Sequence, residues 1–352
     1  MIIHKSLDQK AYSVGVRMAN KYIEKGDYFP SEAWGCEGNI YPPLTGIALL
    51  GLYKESNDKI FLDGVKCIIK SIINKQFSSG AWPLSLGLTG NGVRFEVSDH
   101  LMKLTSESED LPPTVTSLRL IADYKILTGD TSFDDSLFLG FKYLQQFWDE
   151  NTKNFKEMLT GEALKLRASP SDYNIFTYLC LLSLKKIFPE ADKFVEPLYN
   201  SVKKNFESMN SNTYPLLYGM HASIISKTEG PSVYVKTVVR SRISGEIGFE
   251  SRFKIKNHPG AIGHRDGLRG ICTDEGHLRN SIGIAMAMNF YDLYTETKTF
   301  TNSKFYEDLQ IWIDSMYFES KYYEFLDINS GEKLGFGSSG QYLPIYLSLK
   351  SF

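Results

Sequence analysis

The chain has 352 residues, 42% hydrophobic and 13% aromatic, with 39 Lys and Arg against 41 Asp and Glu for a formal net charge of −2. This apolar content excludes intrinsic disorder for the chain as a whole, and the balanced charge supplies no general electrostatic reason to bind nucleic acid or an anionic membrane. No uncharged run approaches the roughly 20 apolar residues of a bilayer span, and the opening residues lack the apolar stretch of a secretory signal.

In chain order, an amphipathic stretch from about Leu7 to Ile23 predicts a first helix. Tyr41-Pro-Pro-Leu-Thr-Gly-Ile-Ala-Leu-Leu-Gly-Leu-Tyr-Lys54 follows, then Asn57-Asp-Lys-Ile-Phe61 and a periodic run from Val65 to Ile73. The same plan returns in Leu111-Pro-Pro-Thr-Val-Thr-Ser-Leu-Arg-Leu-Ile-Ala-Asp-Tyr-Lys125, Gly129-Asp-Thr-Ser-Phe133 and the run from Leu137 to Phe147. The Pro-Pro pairs are 70 residues apart, the Tyr-Lys pairs 71 and the Asp-x-x-Phe turns 72. Proline is tolerated in a first helical turn, so each Pro-Pro starts a helix, and a short Asn-Asp or Gly-Asp turn sends a second helix back.

Pro170-Ser-Asp172 opens a further helix through Leu184, Phe188-Pro189 breaks it, and residues from Ala191 to Phe206 return. A helix near Leu216 to Ser226 is followed by alternating, β-branched residues at 232–243 and 248–255, which predict a small β-hairpin insertion near 232–256. Leu278 to Tyr294 and Lys304 to Phe318 make the last helical pair. About ten helices with short outer turns and long loops between units predict a mainly α fold, an α/α toroid, in one domain spanning 1–352. An open helical solenoid is the alternative, with shorter and more regular repeats.

In such a toroid the loops before the inner helices open on one face. The most polar of them runs from His258 to Arg279 and holds three of the six histidines, three arginines and five glycines. Glycines let a ligand approach the backbone, arginines match carboxylates, and perturbed histidines or carboxylates move protons. This makes His264, Asp266, Asp274 and His277 candidate catalytic residues and Arg265, Arg269 and Arg279 candidate substrate ligands. A solvated loop of internally neutralised charges is the alternative.

Asp99 and His100 form a second candidate catalytic pair, unless Asp99 caps the helix that follows. Trp34, Tyr41 and Trp82 stand at loop edges where an aromatic ring can stack on a sugar or belong to the core, and Glu37 is a carboxylate in a tight loop. Cys272, Asp274 and His277 are residue types that bind zinc, with a buried or incidental cysteine as the alternative. No metal or other cofactor is expected. The four cysteines, Cys36, Cys67, Cys180 and Cys272, contain no Cys-x-x-Cys pair, which suits a reducing, cytoplasmic location.

Gln76-Phe-Ser-Ser-Gly-Ala-Trp-Pro83 resembles the Gln-x3-Gly-x-Trp turn of the terpenoid cyclase and prenyltransferase toroids and the Gln…Gly-Gly-Trp-Pro element of family 10 pectate lyases. The helix start at Pro113-Thr-Val-Thr-Ser and the segments Ser251-Arg-Phe and Arg265-Asp-Gly267 are also similar to the lyases. In these lyases a second Gly-Trp-Pro element follows; here Asn154-Phe-Lys156 stands in its place. His277-Leu-Arg-Asn-Ser-Ile-Gly resembles a helix start of unsaturated glucuronyl hydrolases.

These resemblances imply an α/α toroid of the six-hairpin glycosidase type. They also imply an enzyme acting on an acidic saccharide, a small molecule or an oligosaccharide, by elimination, hydrolysis or epimerisation. Arginine then holds a uronate or stabilises an enolate while histidine moves protons. The alternatives are a terpenoid cyclase or prenyl-transferring enzyme and a non-catalytic binding scaffold. The chain has no Asp-x-Asp-Asp motif, and carbocation chemistry wants an apolar aromatic cavity rather than an arginine- and histidine-rich loop.

Overall fold

The computed structural model describes residues 3–27, 37–38, 40–83, 85–86, 93–97, 100–104, 111–156, 174–208, 265–266, 271–272, 277–279, 304–323, 325–327 and 332–334. Internal contacts group the chain into two units, residues 1–201 with 336–352 and residues 202–335.

The first unit starts with α1 (Ile3–Lys25) and continues in hairpins. Helix α2 (Tyr41–Ser56) pairs with α3 (Lys59–Ile73), and α4 (Leu111–Thr128) with α5 (Asp134–Leu144). Helix α6 (Asn174–Leu184) is followed by α7 (Asp192–Ser208), which begins in this unit. Short strands lie between them: β1 (Glu37–Gly38), β2 (Ser85–Leu86), β3 (Val93–Val97), β4 (His100–Leu104), β5 (Trp148–Asp149) and β6 (Asn154–Phe155).

The first helix of each hairpin is apolar nearly all round and is buried accordingly: Pro42 to Leu50 in α2, Leu111 to Leu118 in α4 and Asn174 to Tyr178 in α6. The returning helices are amphipathic. Helix α3 buries Phe61, Val65, Ile68, Ile69 and Ile72 and exposes Lys59, Asp63 and Lys70. Each of these apolar side chains contributes about 1.5–3 kcal/mol of transfer free energy. Helix α4 packs on α2 and α6, so the apolar helices form the inner layer of this unit.

The outer turns repeat atom by atom. Ser56 Oγ and Thr128 Oγ1 donate to the carbonyls of Leu52 and Tyr124 at 2.7 and 2.8 Å. The next residues, Asn57 and Gly129, take left-handed φ values of 58° and 72°, and their N–H groups bond the carbonyls of Tyr53 and Lys125. An aspartate follows in each case. Asp58 caps α3 through Ile60 N–H at 3.1 Å and accepts from the Tyr12 hydroxyl at 2.7 Å.

Asp130 accepts from Ser132 Oγ at 2.5 Å and Ser132 N–H at 2.9 Å, and Lys66 Nζ lies 3.3 Å from its other oxygen. The Ser132 bonds first, and Lys66 after them, hold its carboxyl down at about 2 against an ordinary value of 3.8. A depressed folded-state pKa stabilises the fold above the ordinary value, and that stabilisation is lost as pH falls through the folded value. Asp130→Asn is therefore expected to lower the urea midpoint at pH 6, with the deficit shrinking as pH falls from 4 to 2. A deficit that stays constant across that range would exclude the ionised carboxylate as its source.

The Gln76–Trp82 segment joins neighbouring hairpins. Gln76 Nε2 donates to the carbonyls of Gly80 at 3.0 Å and Ser136 at 3.1 Å, and Ser136 Oγ donates back to Gln76 Oε1 at 2.5 Å. Gly80 has φ +101°, and a Cβ there would run into the Leu139 carbonyl, so only glycine fits. Trp82 is fully buried: its indole N–H donates to the Ile72 carbonyl at 2.9 Å, its backbone N–H to Thr114 Oγ1 at 3.3 Å, and its ring lies against Gly140.

The turn recurs without its glycine. Lys153 has φ 54°, and two residues later Phe155 is buried among Trp148 and Phe194, with Asn174 bonding its N–H at 3.3 Å and its carbonyl at 3.2 Å. Asn154 beside it is held by Ser201 Oγ at 2.5 Å. In the second unit Ser320 has φ 61°, and Tyr322, two residues on, is fully buried.

The second unit contains α8 (Lys304–Ser315) and strands β7 (Arg265–Asp266), β8 (Ile271–Cys272), β9 (His277–Arg279), β10 (Tyr317–Phe318), β11 (Lys321–Tyr322), β12 (Phe325–Asp327) and β13 (Lys333–Leu334). The pairs β7–β8 and β10–β11 are antiparallel ribbons, and β13–β12–β9 is an antiparallel three-stranded sheet.

Several expectations are corrected. The expected helix at 278–294 does not begin at Leu278, because His277–Arg279 is a strand paired with Phe325–Asp327. The expected helix to Phe318 ends at Ser315, where Tyr317–Phe318 turns into a ribbon with Lys321–Tyr322. The expected run from Leu137 to Phe147 is helix from Asp134 to Leu144 and then a 3-10 turn, Gln145–Phe147. The expected helix at 216–226 and hairpin at 232–256 lie outside the described residues.

Candidate active site

Two of the loops that lead into inner helices meet in the first unit. Strand β1 pairs with β2, placing Glu37 opposite Leu86 and Gly38 opposite Ser85, so residues nearly fifty positions apart stand side by side. Tyr41, the first residue of α2, is half-buried at this edge. The expected loop from Pro83 to Pro113 instead holds the β3–β4 hairpin, in which His100 stands opposite Val97 and Phe95 opposite Met102.

Asp99 and Trp34 lie outside the described residues. Helix α4 begins only at Leu111, so the reading of Asp99 as the cap of the next helix does not hold. Trp82 is also corrected. Its ring is enclosed by α4 and α5 and its N–H is taken by a backbone carbonyl, so it is packing and not a platform for substrate.

The polar loop at 258–279 forms strands in the second unit. Arg265 stands opposite Cys272 and Asp266 opposite Ile271, with Gly267-Leu-Arg-Gly270 between the two strands. His277 stands opposite Asp327, Leu278 opposite Leu326 and Arg279 opposite Phe325. Side chains alternate along a strand, so positions 277 and 279 share one face of the sheet with 325 and 327. His264, Arg269 and Asp274 lie outside the described residues, which leaves the zinc candidate with Cys272 on β8 and His277 on β9. Among the described residues no three His, Cys, Asp or Glu side chains gather as a metal site.

Asp327 was not foreseen. A signal existed, because Phe325-Leu-Asp-Ile-Asn-Ser-Gly-Glu-Lys-Leu334 places an Asn-Ser-Gly turn between two short apolar runs.

No protein-family model matches the sequence, and no curated protein matches it. Solved structures do. Across 96% of both chains the protein matches a crystal structure of D-mannose isomerase with TM-score 0.64 at 10% identity. It matches cellobiose 2-epimerase from Spirochaeta thermophila DSM 6192 over 98% of this chain and 97% of that one, with TM-score 0.61 and 10% identity. A third match is an inactive variant of the GH76A α-1,6-mannanase of Salegentibacter sp. HEL1_6, with TM-score 0.57, 11% identity and coverage of 97% and 98%.

The fold is the α/α toroid. The hairpin repeat led to the same expectation, and these neighbours share the fold. In this toroid the Gln-x3-Gly-x-Trp segment is a clasp between hairpins, so its likeness to cyclases and lyases reflects architecture and carries no chemistry of its own. Among the described residues no toroid helix is long and apolar enough to cross a membrane.

Proposed function

We propose that the protein is a carbohydrate-active enzyme that moves a proton at the carbon beside the carbonyl of a reducing sugar, as an aldose isomerase or 2-epimerase does. The reading is carried by the placement of His277 and Arg279 on one strand, two positions apart and so on the same face, in a toroid that matches a sugar isomerase and a sugar 2-epimerase along nearly its whole length. Both reactions begin by removing a proton next to a carbonyl. The C–H electron pair then becomes an enediolate, and a proton returned to C1 gives the ketose while one returned to the other face of C2 gives the epimer.

His277 suits the proton transfer because an imidazole titrates near neutral pH. Arg279 suits the enediolate oxygen, a use of the arginine that needs no carboxylate on the sugar. Atoms and electrons balance without an added cofactor. Arg265 and Asp266, in the same unit, are proposed to contact the remaining hydroxyl groups.

The test is incubation with D-mannose, D-glucose and cellobiose in deuterated water, followed by NMR and chromatography. A ketose or a 2-epimer carrying solvent deuterium beside the carbonyl is the expected result. Shorter saccharides from α-mannan would make the enzyme a hydrolase instead. Ultraviolet-absorbing unsaturated products from a polyuronate would make it a lyase.

A further inference from the structure

Helix α5 buries Leu137, Gly140, Phe141, Tyr143 and Leu144 and turns Asp135, Phe138, Leu139 and Lys142 outward. These four positions lie in one helical stripe, because residues three and four apart share a face. At its centre Phe138 is 52% and Leu139 36% exposed. The Phe138 ring runs on to the half-buried Phe188, 6.4 Å away between ring centres, and Phe188 in turn stacks on Phe141 at 4.8 Å. Isolated apolar side chains are ordinary on a surface, whereas adjacent ones bordered by charge mark a contact surface.

The border carries opposite charges at its two ends. Asp135 lies one turn before the apolar pair and Lys142 one turn after it, with its Nζ 5.6 Å from the Phe138 ring centre. A two-fold axis across the helix, midway between positions 138 and 139, exchanges 138 with 139 and 135 with 142. Two copies of α5 set antiparallel about that axis therefore place apolar against apolar and each carboxylate against an ammonium, whereas a parallel pairing places like charges together. The formal net charge of −2 adds little general repulsion between copies.

We propose that the outer face of α5 is an isologous docking surface for a second copy of this chain. Phe138 and Leu139 meet their counterparts at the centre, and the two Asp135–Lys142 pairs at the rim fix the antiparallel direction. Exposed ion pairs add little affinity but select among arrangements. One helix face buries less than a stable dimer ordinarily does, so the association is weak, with a Kd of about 10–100 µM, and each protomer folds without it. The surface is independent of the proposed reaction.

The experiment is sedimentation equilibrium of the full chain from about 1 to 500 µM. The average mass is expected to rise from 39.9 kDa toward twice that value, and a mass that stays at 39.9 kDa overturns the proposal. Phe138→Ser, Asp135→Lys and Lys142→Asp, each confirmed as folded by circular dichroism, are each expected to weaken association at least about tenfold. Wild-type association in any of the three means that another face is used and overturns the proposal. An equimolar mixture of Asp135→Lys and Lys142→Asp restores both ion pairs and is expected to associate as the wild type does. Failure of that mixture to associate overturns the antiparallel arrangement.

Discussion

Trp82→Ala is expected to destabilise the protein by about 3–5 kcal/mol, the range for truncating a fully buried large aromatic. The site has little means of collapsing around the lost ring. One wall is the Gly140 position of α5, where an added Cβ would meet Trp82 Cζ3 at 2.7 Å and Leu118 Cδ2 at 2.8 Å, and the Gln76 clasp holds the turn in place. The Ile72 carbonyl also loses its indole donor and stays buried. Against a total stability of about 5–15 kcal/mol this is a large fraction, read as a fall in the urea midpoint followed by circular dichroism. Phe138, which is 52% exposed, supplies the control, since Phe138→Ser is expected to move stability by no more than about 0.5 kcal/mol. A Trp82→Ala protein of wild-type stability with weakened sugar binding would return this tryptophan to the substrate site.

His277→Gln is expected to lower kcat on the reducing sugar by about 10²–10⁴-fold, the usual contribution of a positioned general base. Glutamine keeps a polar, similarly sized side chain on β9 and removes the titrating nitrogen, so the urea midpoint is expected to stay near that of the wild type. Exchange of the C2 hydrogen with solvent deuterium should fall in parallel with turnover, because both require the same proton abstraction. Arg279→Lys keeps the charge and loses the planar fork, and a fall in kcat with little change in KM would place Arg279 on the developing enediolate. Full activity in His277→Gln would remove β9 from the active site, and the search would move to His100 on β4.

The hairpin repeat was legible because its parts are local. Pro42-Pro43 and Pro112-Pro113 start α2 and α4 within a residue of the expected place, and Asn57-Asp58 and Gly129-Asp130 turn the chain back with the same hydrogen bonds. The β3–β4 hairpin is also written in the chain, as the alternation Val93-Arg-Phe-Glu-Val97, although the nearby Asp99-His100 pair carries the stronger chemical signal in the sequence.

Other features carry no local mark. Lys153 and Ser320 adopt left-handed backbones that are ordinarily the territory of glycine, so the recurrence of the Gly80 turn is invisible in residue types. Asp327 stands opposite His277 only through the register of strands fifty residues apart, a non-local pairing that one sequence does not display.

The clasp at Gln76 and Trp82 also bears on how small a piece of this chain can fold. Both residues belong to the segment that ends α3, yet the partners that complete them, Thr114, Ser136 and Gly140, all belong to α4 and α5. A fragment cut after the first hairpin would therefore leave the tryptophan ring uncovered by Gly140 and the Gln76 amide with only the Gly80 carbonyl. The turn after α3 is completed only by the next hairpin, so nascent α2 and α3 must wait for α5 to emerge before that turn can close.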